Sequence, residues 1–267
     1  MKVLSVFDGC AGGFQSLKEC NKNVTNYFSY EIDNYARKIA LKNHQNLTPR
    51  GSVIGAKFPK ADLLIGGSPC QSFSLAGKGE GFQGESKLFF EYVRALEACK
   101  PKYFFLENVV MSKSNEDVIT GLLGVKPIKV NSKIVSAQER VRLYWTNIPY
   151  TPEAKPTYLK DIIEKKVDEK YYLSQTHLQR MLNRPSRVFD TADTTTRTII
   201  ASYGKRPSDA PYYKDEEGRY RMFTPLEVER LQTLPDNYTK GVSDTQRYRM
   251  LGNGWNIATI NCFFKNL

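Results

Sequence analysis

The stretch that decides the fold lies near the start of the chain and reads VLSVFDGCAGG at residues 3–13. Its first five residues are mainly apolar and β-prone, which predicts a strand, and the glycines that follow predict a turn. Phe14, Leu17 and Cys20 then recur at helical spacing. A strand, a glycine-rich turn and a helix in this order form the first half of a βαβ unit, where a ligand can approach the backbone of the turn.

Three further apolar stretches repeat this arrangement along the chain. Residues 27–30 end at Glu31, residues 62–65 run into a Gly-Gly turn, and residues 103–106 end at Glu107. Segments with helical spacing separate them. Strands that alternate with helices predict an open, largely parallel α/β sheet, whose ligands bind outside the carboxyl ends of the strands.

Glu31 is a candidate ligand-binding residue because of its distance from the first turn. An acidic residue about twenty positions after such a turn is typical of proteins that bind the ribose hydroxyls of a nucleotide cofactor. A nicotinamide dinucleotide and S-adenosylmethionine both fit this pattern. A glycine-rich turn that only packs a helix against a strand is the alternative interpretation.

Cys70 and Glu107 are candidates for chemistry at the same sheet edge. Most free cysteines are small buried apolar residues, but Cys70 follows Pro69 in a glycine-rich loop directly after a predicted strand. Glu107 ends the next strand, where the alternative is a buried, ion-paired carboxylate. Residues 138–145 alternate like a strand and would place Gln138, Arg140 and Arg142 on one face. There they could bind an anion or a base edge, or simply be solvated.

Composition limits the class of protein. The 267 residues carry 39 Lys and Arg against 28 Asp and Glu, a net charge of +11, with 40% hydrophobic and 12% aromatic residues. These values predict a folded basic protein. The five cysteines form no C-x-x-C pair and the two histidines lack ligand spacing, so we expect no metal site and no disulfide framework. Without a long apolar run or a signal segment, we expect a cytoplasmic monomer that does not contact membranes.

The composition of the sequence changes at residue 151: prolines become frequent, and apolar residues no longer recur at helical or strand spacing. This predicts a smaller inserted domain over residues 151–222. Thr224, Pro225 and Glu227 then have the pattern of a helix start, with an N-cap, a proline at the first helical position and an acid in the first turn.

Five motifs follow one another in an order that is hard to attribute to chance. They are Gly-Gly-Ser-Pro-Cys-Gln-Ser-Phe-Ser at 66–74, Glu-Asn-Val at 107–109, Gln-x-Arg-x-Arg at 138–142, Phe-Thr-Pro-x-Glu-x-x-Arg-Leu-Gln at 223–232, and Leu-Gly-Asn-Gly-Trp-Asn at 251–256. From Phe7 to Asn256, this order resembles the DNA (cytosine-5)-methyltransferase family. The resemblance implies a Rossmann-like, S-adenosylmethionine-dependent methyltransferase fold. Its catalytic domain would comprise residues 1–150 and 223–267, and its target-recognition domain residues 151–222.

The resemblance also implies a reaction and its residues. The enzyme would flip a cytosine out of a short double-stranded DNA sequence and methylate its C5, for restriction-modification or phage self-protection. Cys70 would add to C6, Glu107 would bind N3 and the amino group, Arg142 would hold O2, and Arg140 would support the catalytic loop or its phosphate contacts. The S-adenosylmethionine site would comprise Phe7, Gly9, Gly12, Glu31, Ile32, Asp62, Leu63, Pro69, Asn253 and Gly254. Glu31 would bind the ribose and Asp62 the adenine amine.

Three alternatives stay open at this point. An RNA cytosine-5 methyltransferase is disfavoured, because the tRNA-methylating branch typically has Cys-Phe-Thr after its Glu-Asn-Val and this chain has Met111-Ser112-Lys113. A DNA-binding homologue without turnover is disfavoured by the presence of Cys70, Glu107 and Arg142. A Rossmann oxidoreductase is a more remote third reading. For groove contacts in the inserted domain, the candidates are Arg180, Arg184, Arg187, Arg197, Lys205 and Arg206.

Overall fold

The structure is a computed structural model that describes residues 1–68, 88–184 and 188–267. The strands are β1 (Lys2–Val6), β2 (Asn26–Tyr30), β3 (Leu47–Pro49), β4 (Leu63–Gly67), β5 (Tyr103–Val109), β6 (Ile128–Asn131), β7 (Val141–Thr146), β8 (Tyr213–Lys214) and β9 (Tyr220–Arg221). The helices are α1 (Gly12–Glu19), α2 (Asn34–Asn43), α3 (Phe89–Cys99), α4 (Lys113–Leu123), α5 (Gln175–Leu182), α6 (Pro225–Leu231), α7 (Asp244–Asn253) and α8 (Ile257–Phe264).

The described residues form two compact units, and neither is a single continuous piece of chain. The first unit comprises Met1–Asn131, Val141–Pro152 and Thr259–Leu267, and the second comprises Ser132–Arg140 and Glu153–Ala258. This division differs from the predicted domains, because residues 132–140 and 223–258 are grouped with the inserted segment. Pairing explains part of the difference: Glu139 N donates to Thr196 O at 2.8 Å, and Thr196 N donates to Ala137 O at 2.8 Å.

The first unit contains a seven-stranded sheet in the order β3-β2-β1-β4-β5-β7-β6. The pairs among β1 to β5 are parallel, whereas β7 is antiparallel to both β5 and β6. The predicted Rossmann-like α/β class is therefore confirmed. Because β1 lies between β2 and β4, the strand order reverses there, and such a switch point is where ligands bind in open α/β sheets.

Close packing of the central strands requires a glycine in β4. Gly66 pairs with Val6 of β1. A Cβ on Gly66 would lie 2.9 Å from Cγ2 of Val6 and 3.0 Å from the Val6 carbonyl oxygen. Leu4, Leu64 and Trp145, all fully buried, belong to the same apolar core. The Gly-Gly pair in the sequence therefore belongs to β4, where Gly66 allows close packing of the sheet.

Several boundaries differ from the predictions because pairing partners extend or shorten a strand. β5 continues through Glu107 and Asn108 to Val109, since β7 pairs with it from Phe105 to Val109. The predicted strand at 138–145 instead begins at Val141. Gln138 and Arg140 precede it and belong to the second unit.

The predicted start of α6 is confirmed. The Thr224 hydroxyl accepts from the Glu227 backbone N at 3.2 Å, and the Glu227 carboxylate accepts from the Thr224 N at 2.8 Å, with Pro225 in the first turn. Within the described ranges, no helix is both long and apolar enough to cross a membrane.

Candidate active site

The carboxyl ends of β1, β2, β4 and β5 meet at one edge of the sheet, and each is followed or ended by polar residues. Asp8 follows β1, Glu31 follows β2, Ser68 follows β4, and Glu107 lies near the end of β5. Glu31 and Glu107 therefore lie at one edge of the sheet, as the sequence predicts, whereas Cys70 is outside the described residues.

The turn after β1 has an unusual backbone. Phe7, Gly9 and Ala11 all have positive φ, at 58°, 58° and 64°, a conformation that costs a non-glycine residue free energy unless its surroundings hold it. Asp8, between them, has an anchored carboxylate. The Ser5, Tyr27 and Ser29 hydroxyls donate to it at 2.5, 2.6 and 2.5 Å. Burial of this carboxylate raises its pKa from 3.8 to about 6, although the three hydroxyl donors lower it.

Glu31 is held against the same turn by backbone amides. Its Oε2 accepts from Gly9 N at 2.8 Å, and its Oε1 accepts from Ile32 N at 2.8 Å and Asp33 N at 2.7 Å. Asp33 in turn caps α2 by accepting from Tyr35 N at 2.8 Å. The predicted association of the turn with Glu31 thus corresponds to direct contacts in the structure.

The surroundings of Glu31 fit a nucleoside. Ile32 is 73% exposed and Ile54, which follows the neighbouring strand β3, is 68% exposed, so apolar surface is available beside the carboxylate. A Cβ on Gly9 would meet no described atom within 4 Å, which leaves the backbone of the turn open to a ligand. Ile54 was not among the residues predicted for this site, because only its exposure in the folded chain distinguishes it from a core isoleucine.

Glu107 and Arg142 form an ion pair on neighbouring strands. Arg142 Nε lies 3.0 Å from Glu107 Oε1, with side chains that are 14% and 11% exposed. Arg142 is the partner of Val109 in the antiparallel register, two residues from Glu107, so the two side chains lie on the same face. An ion pair this shielded from water keeps both groups in one orientation.

Asn108 connects β5 to Ser68, which follows β4. Its Nδ2 donates to the Ser68 hydroxyl at 3.0 Å, and both residues are buried. Its Oδ1 accepts from Val109 N at 2.8 Å. Ser68 is therefore held in place. Pro69, Cys70 and Arg187 lie outside the described residues.

Asp62 and Leu63 do not lie at this edge, which corrects the prediction that they bind the cofactor with Glu31. Leu63 is the first residue of β4 and fully buried. Asp62 precedes it, and its Oδ2 accepts from Lys2 N at 2.7 Å at the start of β1. Both are at the amino ends of their strands, about four residues or ~13 Å from the carboxyl edge. Asp62 precedes β4 and Glu31 follows β2, and both strands run parallel to β1 between them, so the two acids lie at opposite edges of the sheet.

Arg140, Asn253 and Gly254 belong to the second unit. Arg140 is 3% exposed, and its guanidinium donates to the carbonyls of Ile199 at 3.2 Å, Gly252 at 2.9 Å and Gly254 at 2.8 Å. Gln138 is also buried and accepts from Ile199 N at 2.9 Å. The two side chains are therefore neither solvated nor on the face of β7. Gly12 is the first residue of α1 in the first unit.

No group of three or more His, Cys, Asp or Glu side chains that could hold a metal ion occurs in residues 1–68, 88–184 or 188–267. The candidate site consists instead of a carboxylate, a guanidinium and a backbone turn with an anchored carboxylate. Such a site can bind a nucleoside and the polar edge of a heterocycle.

Comparisons with known proteins agree with this geometry. The family model described as C-5 cytosine-specific DNA methylase matches residues 1–267. Similar curated proteins include the Type II methyltransferase M.NlaX of Neisseria lactamica, 31% identical over 100% of this chain and 96% of that protein. Another is the Type II methyltransferase M1.ScrFI of Lactococcus lactis subsp. cremoris, 30% identical over 100% of this chain and 77% of that protein.

Solved structures give the same fold. The Dnmt2 methyltransferase of S. pombe has a TM-score of 0.77 and 19% identity, covering 98% of this chain and 96% of that one. The methyltransferase EhMeth of Entamoeba histolytica has a TM-score of 0.79 and 22% identity with the same coverage. Because the family model spans the whole sequence, the chain belongs to the C-5 cytosine-specific DNA methylase family and is a DNA (cytosine-5)-methyltransferase.

Proposed function

We propose that the chain transfers a methyl group from S-adenosylmethionine to C5 of a cytosine in a short double-stranded DNA sequence, through covalent addition of Cys70 to the base. The observation that carries the proposal is the shielded Glu107–Arg142 pair, 3.0 Å apart. Glu107 lies on β5, the neighbour of β4, and Cys70 follows β4 in the sequence. The paired donors and acceptors of Glu107 and Arg142 match the polar edge of a cytosine.

The chemistry explains why these residue types are needed. Cytosine C5 is a poor nucleophile, and a thiolate that adds at C6 makes C5 behave like an enamine carbon. Cys70 forms the S–C6 bond, while Glu107 hydrogen-bonds N3 and the amino group and Arg142 holds O2. After methylation, loss of the C5 proton returns the electron pair and breaks the S–C6 bond. Because neither carbon is accessible inside a stacked duplex, the base has to leave the helix, at a cost of a few kcal/mol.

The fit of the turn supports S-adenosylmethionine as the cofactor. When bound, it supplies the methyl group as a sulfonium. Glu31 would accept from its ribose hydroxyls, Ile32 and Ile54 would contact its adenine, and Phe7, Gly9 and Gly12 would form the turn beneath it. Asn253 and Gly254 stay predictions for this site.

The names of the curated relatives support a role in restriction-modification. M.NlaX and M1.ScrFI are both Type II methyltransferases, and the present chain would protect host or phage DNA in the same way. The net charge of +11 suits a polyanionic substrate. Methylation of RNA and DNA binding without turnover are the two outcomes that the following experiment distinguishes.

The proposal is tested with tritiated S-adenosylmethionine on genomic DNA and on transfer RNA. We expect label in DNA with the wild-type protein, none with Cys70→Ser, and unchanged transfer with Cys20→Ser, the matched control. Full activity of Cys70→Ser would contradict the nucleophile, and label in RNA alone would contradict the substrate. Bisulfite sequencing of DNA from expressing cells then identifies the methylated sequence.

A second experiment traps the covalent step. Duplex DNA with 5-fluorocytosine at the identified target cannot lose the C5 substituent as a proton, so we expect a stable adduct. Mass spectrometry should place the link on Cys70. A link to any of the other four cysteines would show that a different thiol attacks the base.

A further inference from the structure

A cationic groove lies within the second unit, near the end of α5. Its volume is about 550 Å³, and His177, Arg180, Asn183, Arg184, Arg206 and Ser208 contribute to its lining. Resting on the proposed function, we propose that this groove binds phosphodiester groups of the DNA substrate through Arg180, Arg184 and Arg206. Such contacts would position the duplex without selecting the target sequence.

The charge of the groove is uncompensated in the structure. Its described lining contains three arginines and no acidic residue. Both Arg180, in the last turn of α5, and Arg184, just after the end of this helix, are exposed. Neither has an ion pair or a side-chain hydrogen bond to any described residue. A cluster of this kind is stabilised by an external anion.

The neighbouring groove provides a contrast. It has a volume of about 620 Å³ and contains Lys170 and Arg219, but both cations are paired. Arg219 lies 2.5 Å from Glu169 and Lys170 lies 3.0 Å from Asp244. Lys170 and Arg219 are thus neutralised by acids, whereas Arg180 and Arg184 are not.

Arg206 is held in place by the backbone. It has a φ of 53°, in the left-handed region, and its guanidinium donates to the Lys170 carbonyl. A non-glycine residue adopts this conformation only where the surrounding structure fixes it. The third arginine is therefore preorganised, which reduces the entropy that its side chain loses on binding.

His177 lies close to the charges of both Arg180 and Arg206. Burial lowers the pKa of its imidazole, and the nearby charges of Arg206 and Arg180 lower it further. Two arginines from different segments therefore act on one group. Its ring also lies against Tyr212, with centroids 6.0 Å apart.

The shape of the donors favours phosphate as the ligand. Guanidinium groups bind phosphate oxygens in a bidentate manner, and Asn183 and Ser208 add neutral donors to the lining. Contacts of this class fix the register of a protein on DNA but carry no sequence information. The methylated sequence should therefore not change when they are removed.

The first test is binding of a fluorescein-labelled duplex, measured by anisotropy at several salt concentrations. We expect Arg180→Ala/Arg184→Ala to raise Kd about tenfold or more. The slope of log K against log salt should fall by about 2. The matched control is Lys165→Ala/Lys166→Ala, which removes two exposed charges of the same unit outside this lining. An equal effect in the control would overturn the proposal.

The second test uses the wild-type chain and does not depend on a variant. The protein has two histidines, and His44 lies in the first unit. On titration with a short non-target duplex, the side-chain NMR signals of His177 should shift while those of His44 stay unchanged. No shift of His177 at saturation would contradict the proposal.

The experiments distinguish an error in the groove assignment from an error in the proposed function. If the wild-type protein methylates DNA but the Arg180/Arg184 variant keeps its Kd and salt slope, the groove assignment is wrong and the function stands. If the variant loses binding as expected but the wild-type protein transfers no methyl group to any DNA, the groove stands and the proposed function is wrong.

Discussion

Arg140 and Arg142 are separated by one residue, yet their guanidinium groups have different partners. Arg142 pairs with Glu107 at the candidate active site. Arg140 is buried and donates to three backbone carbonyls, two of them at the end of α7. In the Gln-x-Arg-x-Arg motif, Arg142 thus belongs to the candidate active site, whereas Arg140 stabilises the second unit.

Because of this difference, Arg140→Ala should mainly lower stability and Arg142→Ala should mainly lower activity. Arg140→Ala would leave buried carbonyls unpaired and should lower the free energy of unfolding by about 3 kcal/mol or more. Arg142→Ala should lower the rate of methyl transfer by about 100-fold, with a smaller loss of stability. Urea denaturation and tritium transfer, measured on both variants, check the contrast. A more stable Arg140→Ala than Arg142→Ala would contradict it.

Asp8 and His44 have pKa values that depart in opposite directions. Burial raises the pKa of Asp8 from 3.8 to about 6 and lowers the pKa of His44 from 6.5 to about 4. The folded chain binds the Asp8 proton more tightly than the unfolded chain, so stability from this group is lost as pH rises from about 4 to 6. For His44 the folded chain binds the proton less tightly, so stability is gained over a similar range.

Asp8→Asn should remove the contribution of Asp8 to the pH dependence of stability and keep that of His44. The wild-type protein should lose up to about 3 kcal/mol from Asp8 between pH 4 and pH 6, and the variant should lack this loss. The stability difference between variant and wild type should therefore shift in favour of the variant as pH rises. Urea denaturation at several pH values measures it, with Asp209→Asn, at an exposed position, as the control. A difference that is constant with pH would contradict the prediction.

The end of α7 is fixed by a close approach of two backbone segments. Gly252 lies against residues 200 and 201, and a Cβ there would come within 2.3 Å of the Ile200 carbonyl carbon and 2.3 Å of the Ala201 nitrogen. Only glycine allows this contact. The Gly252 carbonyl also accepts a hydrogen bond from Arg140. The glycine of the Leu-Gly-Asn-Gly motif therefore has a packing role.

Two Gly→Ala substitutions should have opposite signs. Gly252→Ala should lower the free energy of unfolding by about 3 kcal/mol or more, because backbone has to move. Gly121→Ala, inside α4 with no described atom within 4 Å of a Cβ, should raise it by about 0.5–1 kcal/mol through helix propensity. Thermal unfolding followed by circular dichroism measures both. Equal melting temperatures would contradict the packing role.

On the scale of the entire chain, the first unit depends on its most distant segment. Phe263 and Phe264 are fully buried and contact Phe105 with ring centroids 5.2 and 5.1 Å apart. Lys22 Nζ also donates to the Leu267 carbonyl at 2.8 Å. Residues 259–267 therefore pack into the first unit, together with residues near the start of the chain.

Truncation after Ala258 should consequently destabilise the first unit, although it removes only nine residues, 259–267. Each buried phenylalanine contributes about 3–5 kcal/mol, a large part of the 5–15 kcal/mol typical of a folded domain. We expect loss of cooperative unfolding and of soluble yield. Removal of Leu267 alone is the control and should keep both. A truncated chain with an unchanged melting temperature would show that these residues are dispensable.

Local sequence patterns predicted much of the fold. The strand, turn and helix at the start, the N-cap at Thr224 and the parallel sheet depend on side-chain spacing and turn chemistry within a few residues. The order of the five motifs identified the family, and the family model confirmed it. Glu31 and Glu107 were placed at the correct edge, because each comes at the end of a strand.

The sequence by itself determined the order of the elements, the family and the residues at strand ends, since these follow from short-range propensity and from the types of neighbouring side chains. Only the folded chain decided which strand end Asp62 occupies, which carbonyls Arg140 binds and which arginines of the inserted segment share a groove. Those outcomes depend on pairing and packing between residues far apart in the chain, such as Glu139 with Thr196. No periodicity encodes such contacts, because their free energy comes from surfaces that exist only after the chain has folded.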